Sequence, residues 1–324
     1  MTELALAALL LLAPPGSPAR AARGPSTSAA AAPDRQELIA RAEVAAARGQ
    51  TPEAARLLQE AVARFGSVRA LLLLARLQAG AHDAGGAAAS LQRALALAPN
   101  SEEVLLAAAE FFLGRRAPVP ALRVLEPLTR LCPSVGQYRY LLGVALMQAG
   151  DMAGAVDALR EARKLEPDAA RTLVALGAAL NDRKQHEEAR THLRRALELT
   201  PDGVETLAAL AEAEAGVGDL AAAEEHAGRA LALRPGDATA ALVLGAVRVK
   251  QERYAEARES LQKAITADPD SPKAYYLLSL AATRLGDAAG AQRALDTYQR
   301  KLKEREDGVQ RVRKDTGLGG GMTP

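Results

Sequence analysis

The sequence predicts an all-α fold, an α-solenoid of about eight helix-turn-helix repeats. Three observations carry that prediction. A proline recurs at one interval: Pro99, Pro133, Pro167, Pro201, Pro235 and Pro269 stand 34 residues apart without a slip. Proline cannot continue a helix and biases the residue before it away from the α region, so each one ends an apolar, helix-patterned run. Alanine recurs in step with the prolines, at Ala87, Ala121, Ala155, Ala189, Ala223, Ala257 and Ala291. Finally, apolar residues make up 49% of the chain but aromatics only 3%, so the apolar content is largely Ala and Leu, which favours helices over sheets. A fixed period of this length means stacked copies of one supersecondary unit, each needing only neighbour contacts.

Phasing the repeats on the prolines places Pro at position 32 and the invariant alanine at position 20. Position 8 then reads Ala75, Ala109, Gly143, Gly177, Ala211, Gly245 and Ser279. Position 27 reads Ala94, Leu128, Ala162, Ala196, Ala230, Ala264 and Tyr298. Small residues recur where two helices approach closely, because a larger side chain would hold the backbones apart.

These landmarks resemble the tetratricopeptide repeat (TPR) family, whose unit is 34 residues long with Leu-Gly, Ala and Pro marks. LLGVALMQAGDMAGAVDALREARKLEP, residues 141–167, is the copy most like that pattern. The aromatic usual at position 4 is mostly replaced, by Leu105, Leu173 and Leu207, and only Tyr275 keeps it. The resemblance implies a right-handed superhelix with the first helix of each repeat lining a concave groove. It also implies a non-catalytic scaffold or adaptor for protein binding.

In chain order, residues 1–21 read as a signal peptide: a ten-residue apolar run from Leu4, too short to span a bilayer, precedes Ala19-Arg20-Ala21. Glu3 and the lack of Lys or Arg before the run fit that reading poorly, and a disordered cytosolic leader is the alternative. Export implies a periplasmic or secreted protein; the alternative implies a cytoplasmic one. Residues 22–34 form an Ala/Pro/Ser-rich linker. The solenoid is expected over residues 35–305, in repeats near 35–67, 68–101, 102–135, 136–169, 170–203, 204–237, 238–271 and 272–305. Repeat 1 is atypical, with Gly66 where proline is expected, as end repeats often are. Residues 306–324 are expected to be a charged, then Gly-rich, disordered tail.

Within the repeats, Gly150-Asp151, Gly218-Asp219 and Gly286-Asp287 fall between paired helices, glycine to end one and aspartate to cap the next. Asn100, Ser134, Asp168, Asp202 and Asp270 follow the prolines and are good N-cap types, with Ser134 and Gln137 spaced as a capping box. Pro127 falls inside the second helix of repeat 3, where it is either a kink that makes a joint in the solenoid or a tolerated proline on an outer helix. Tyr298 replaces the small residue at position 27 of the last repeat, where no further helix must approach.

Catalytic and cofactor chemistry find little support. His82, His186, His192 and His226 are scattered, and the six-residue spacing of His186 and His192 does not share a helix face. No phosphate-binding loop or nucleophile elbow occurs, and Glu187-Glu188 and Glu224-Glu225 read as solvated faces. One cysteine, Cys132, excludes an internal disulfide framework and a multi-cysteine metal site. A formal net charge of +2 gives no reason to invoke nucleic acid. No enzyme activity, cofactor or metal is expected, and the oligomeric state is open.

Binding remains. By the resemblance, positions 2, 5, 9 and 12 face the groove. That assigns Leu72, Arg76, Leu106, Glu110, Tyr140, Met147, Val174, Asn181, Leu242 and Tyr276 to a partner-binding surface for a protein or peptide. Ordinary inter-helix packing and paired charges between neighbouring repeats are the competing account of the same residues. Ile39 and Glu43 occupy the places where some relatives clamp a C-terminal carboxylate with Lys and Asn, so that clamp is not carried over. The alternative function is a structural subunit of a cell-envelope or secretion and polysaccharide-export assembly, using convex or end surfaces.

Overall fold

The computed structural model describes residues 34–316; the proposed signal peptide and all but the last residue of the linker lie outside them. Sixteen helices occur among the described residues, and no strand. They pair in order: α1 Arg35–Ala47 and α2 Thr51–Phe65, α3 Val68–Gly80 and α4 Ala84–Leu97, α5 Glu102–Gly114 and α6 Pro118–Leu131. Then follow α7 Gly136–Ala149 and α8 Met152–Leu165, α9 Ala170–Asp182 and α10 His186–Leu199, α11 Val204–Val217 and α12 Leu220–Leu233. The last pairs are α13 Ala238–Lys250 and α14 Tyr254–Ala267, and α15 Pro272–Arg284 and α16 Ala288–Thr316. The chain divides into two compact bodies between Ala107 and Ala108, inside α5 and twenty residues before Pro127. The helix holding Pro127 runs unbroken from Pro118 to Leu131.

In the N-terminal body the small residues do what their recurrence predicts. Ala42, Ala54 and Ala61 of repeat 1 and Ala75, Ala87 and Ala94 of repeat 2 are buried, together with Leu38, Leu57, Leu71 and Leu91. Asp34 caps α1 by accepting from the Glu37 amide at 2.8 Å, and Ser67 caps α3 by accepting from Ala70 at 3.3 Å.

In the C-terminal body, position 8 faces position 24 of the same hairpin. A Cβ placed on Gly143 would lie 2.5 Å from Leu159 Cγ, on Gly177 2.4 Å from Leu193 Cγ, and on Gly245 2.6 Å from Leu261 Cγ. The glycine clears room for a leucine that is itself fully buried. Repeat 6 meets the same constraint differently, with Ala211 and Ala227 at the two positions. Ala155, Ala189, Ala223 and Ala257 at position 20 have no exposed surface.

The turn between paired helices falls at position 15, and every residue there has a positive φ, from Arg116 at 50° to Gly218 at 92°. Glycine takes that conformation without a Cβ penalty; His82, Arg116, Lys184 and Glu252 adopt it at a cost that the flanking helices impose. Asp151, Asp219 and Asp287 then cap the second helices, accepting from Gly154, Ala222 and Gly290.

The first-helix caps require a correction. The residue after each proline is not the N-cap; the cap lies one residue further on, at Val135, Ala169, Gly203, Asp237 and Ser271. Of these five only Asp237 accepts a backbone N–H with its side chain, so Ser134 and Gln137 form no capping box. The loop after each proline is one residue longer than that reading assumed. The C-terminus also differs from expectation: α16 continues as helix to Thr316, through residues placed in a disordered tail.

Close packing of position 8 on position 24 predicts a measurable coupling. Leu193→Ala alone is expected to cost about 2–5 kcal/mol through the cavity it leaves. Combined with Gly177→Ala, which recreates the Ala–Ala pair of repeat 6, the same substitution is expected to cost about 1 kcal/mol less, a coupling of the size measured for side chains in contact. Denaturant unfolding of the four-member cycle gives the answer, and strict additivity would refute the pairing.

Candidate concave interface

Curvature of the C-terminal body follows from which helices meet. Successive first helices approach one another, α9 to α11, α11 to α13 and α13 to α15, whereas successive second helices do not pack together comparably. The surface built from first helices is therefore the inner, concave one. A side-chain bridge shows how strongly it bends: Lys273 Nζ of repeat 8 reaches Glu212 Oε1 of repeat 6 at 2.7 Å, passing repeat 7.

Several charges on this surface have partners within the protein. Glu205 pairs with Arg234 at 2.7 Å, and Lys250 Nζ donates to the Ala215 carbonyl at 2.6 Å. Arg171 sits over the Tyr140 ring at 5.2 Å, a cation–π contact. Burial raises the Tyr140 phenol above its ordinary pKa, with Arg171 opposing the shift. What stays half-buried between the pairs is apolar: Tyr140, Val144, Met147, Val174, Leu242 and Val249, with Tyr276 exposed at the far end. Tyr276 is backed by Tyr298, ring centroids 5.5 Å apart, so the tyrosine at position 27 packs on the inner face of its own hairpin.

Two assigned groove residues are withdrawn by burial. Asn181 is 1% exposed; its Nδ2 donates to the Ala209 carbonyl at 2.8 Å and its Oδ1 lies 3.2 Å from His186 Nδ1, so its amide ties repeat 5 to repeat 6. Leu72, in the N-terminal body, is 2% exposed and belongs to the core. In that body Arg76 is exposed and Leu106 half-buried, and Arg69 pairs with Glu43 of repeat 1 at 3.0 Å. Glu110, in the C-terminal body, is exposed.

Two glutamates expected on solvated faces instead join neighbouring repeats. Glu188 accepts from Arg160 at 2.9 Å, and Glu224 accepts from Arg253 at 3.0 Å and from Gln251 at 3.2 Å. Sequence reasoning also missed a buried pair: His226 Nδ1 lies 2.7 Å from Glu214 Oε2, with the carboxylate almost wholly enclosed. A histidine twelve residues after a mid-helix glutamate was the available signal, since that spacing spans one hairpin. Among the described residues no cluster of His, Cys, Asp or Glu could hold a metal ion, and no helix is long and apolar enough to cross a membrane.

Stacked helical hairpins with a concave face of first helices define a helical-repeat solenoid. Family models described as tetratricopeptide repeat match residues 39–102, 121–165, 140–204, 208–272 and 248–308, so this chain belongs to the tetratricopeptide repeat family. Among solved structures it is similar to a tetratricopeptide repeat protein from Parabacteroides merdae, with 16% identity, a TM-score of 0.61, and coverage of 76% of this chain and 98% of that one. It is also similar to a chain of the Cut9–Hcn1 hetero-tetramer of the APC/C, with 18% identity, a TM-score of 0.59, and coverage of 76% of this chain and 48% of that one. Both likenesses concern the fold. No curated protein sequence matches. Tetratricopeptide repeat proteins generally mediate protein–protein interactions and generally act as non-catalytic scaffolds.

Burial lowers the pKa of both His186 and His192 from 6.5. A neutral imidazole in the fold binds fewer protons than the same group unfolded, so stability is full above 6.5 and falls as pH drops below it. Denaturant midpoints at pH 7.5 and pH 5 are expected to show this loss, and His192→Gln is expected to reduce it. A variant as pH-sensitive as the parent would rule out His192 as a contributor.

Proposed function

We propose that this protein is a non-catalytic scaffold or adaptor that holds a peptide segment or partner subunit on the concave face of its first helices. The observation that carries this reading is the apolar row from Tyr140 through Met147, Val174 and Leu242 to Tyr276, left between charges already paired. Those pairs leave little net charge to attract a charged ligand, so the fitting partner presents an apolar edge, such as one face of a helix. Aromatic rings and a thioether supply contact area at low entropic cost.

Substituting Tyr140 and Tyr276 by Ala is expected to abolish affinity capture of the partner while circular dichroism and the unfolding midpoint stay near those of the parent. Unchanged capture would move the interface to the outer surface.

That outcome would favour the second reading, a structural subunit of a cell-envelope assembly. It has its own support in a row of exposed leucines on the last turns of the second helices: in the C-terminal body Leu131 is 49%, Leu165 41%, Leu199 37% and Leu233 51% exposed. In both readings we place the protein outside the cytoplasm, carried there by the N-terminal apolar run. Sequencing the mature N-terminus is expected to begin at residue 22; an intact Met1 in the native host would refute export.

A further inference from the structure

α16 is 29 residues long, more than twice the 13 of its partner α15, so its far half extends past the end of that helix. It also touches α6 and α7, in repeats 3 and 4. Beyond residue 302 most positions are exposed, yet Gly308, Val309 and Val312 are half-buried, at spacings that share one helix face. Their footing is the turn between α7 and α8: a Cβ on Gly150 would lie 3.0 Å from Val309 Cγ2. Gly218 and Gly286 occupy the same place in their own repeats and have nothing within 4 Å. The approach to Gly150 is thus particular to this turn. Fifteen residues rich in charge, with a glycine at 308, make a marginal helix in water unless something supports them.

We propose that the C-terminal half of α16 is a self-docked latch, seated by Val309 on the Gly150 turn, that ties repeat 8 to repeats 3 and 4 and restricts entry to the concave face between them. Val309 and Val312 are half-buried rather than enclosed, so the latch can open. Met147 lies on the last turn of α7, three residues before Gly150, and its carbonyl accepts from the Gly150 amide at 3.1 Å, so its backbone adjoins the seat. A partner reaching Met147 from that edge competes with the protein's own helix. The docking stands on geometry alone; the restriction of entry rests on the concave-face reading.

Hydrogen exchange of the full chain tests the docking. Peptides covering residues 302–316 are expected to exchange at least tenfold faster in Val309→Asp and in Gly150→Asn, while α15 and residues 288–300 are unchanged. Asparagine tolerates the left-handed turn but puts a side chain where Val309 sits. Gly218→Asn, the matched control, is expected to leave exchange as in the parent. Unprotected exchange of residues 302–316 in the parent, or equal rates in all variants, would overturn the latch. For the restriction of entry, Met147→Cys in a Cys132→Ala background is labelled with a bulky maleimide, and adding Val309→Asp is expected to speed labelling about tenfold. Faster exchange without faster labelling would keep the docking and refute its effect on the groove. Neither readout involves a partner, so both are independent of whether the concave face binds one.

Discussion

Close approach of the two helices in each hairpin is the constraint from which the remaining features follow. It needs a residue without bulk at position 8, a leucine to fill the space opposite, and an alanine at position 20 with no exposed surface. Interiors are packed at crystal-like density, so where position 8 is glycine an added methyl group would press on the leucine side chain opposite. Repeat 6 fills the same place with Ala211 and Ala227, whereas repeats 2 and 3 set Ala75 and Ala109 against buried Leu91 and Leu125.

Neighbour packing converts this local geometry into a curved surface. In the C-terminal body the first helices converge, and the convergence brings Lys273 to Glu212 across an intervening repeat. Pairs such as Glu205–Arg234 leave an apolar row between them. An open surface of that kind suits a partner with a continuous apolar edge better than a charged peptide end.

The hairpins were legible in the sequence almost to the residue, because proline, glycine and alanine report local backbone and packing demands that repeat every 34 positions. Cap positions were legible only to within one residue, since two loop residues compete to start each first helix. The inner apolar row was legible in part. Tyr140, Met147, Val174, Leu242 and Tyr276 lie on the concave side with surface to offer, but Asn181 and Leu72 are used up by packing. Nothing in a single repeat distinguishes an amide that faces a partner from one that bonds to the carbonyl of the next repeat. Glu188 and Glu224 were misplaced for the same reason, their arginines lying about 28 residues away in another hairpin.

By itself, the sequence determined the repeat length, the helix boundaries near each proline and glycine, and the residues that must be small. Each of those depends on contacts within one hairpin. Only the tertiary structure decided which inner residues keep free surface, which charges are already paired, and that the end of α16 returns to the Gly150 turn. Those features join residues between about 28 and 159 positions apart, and they depend on the small rotation at each interface added up over several repeats. No local pattern encodes that sum.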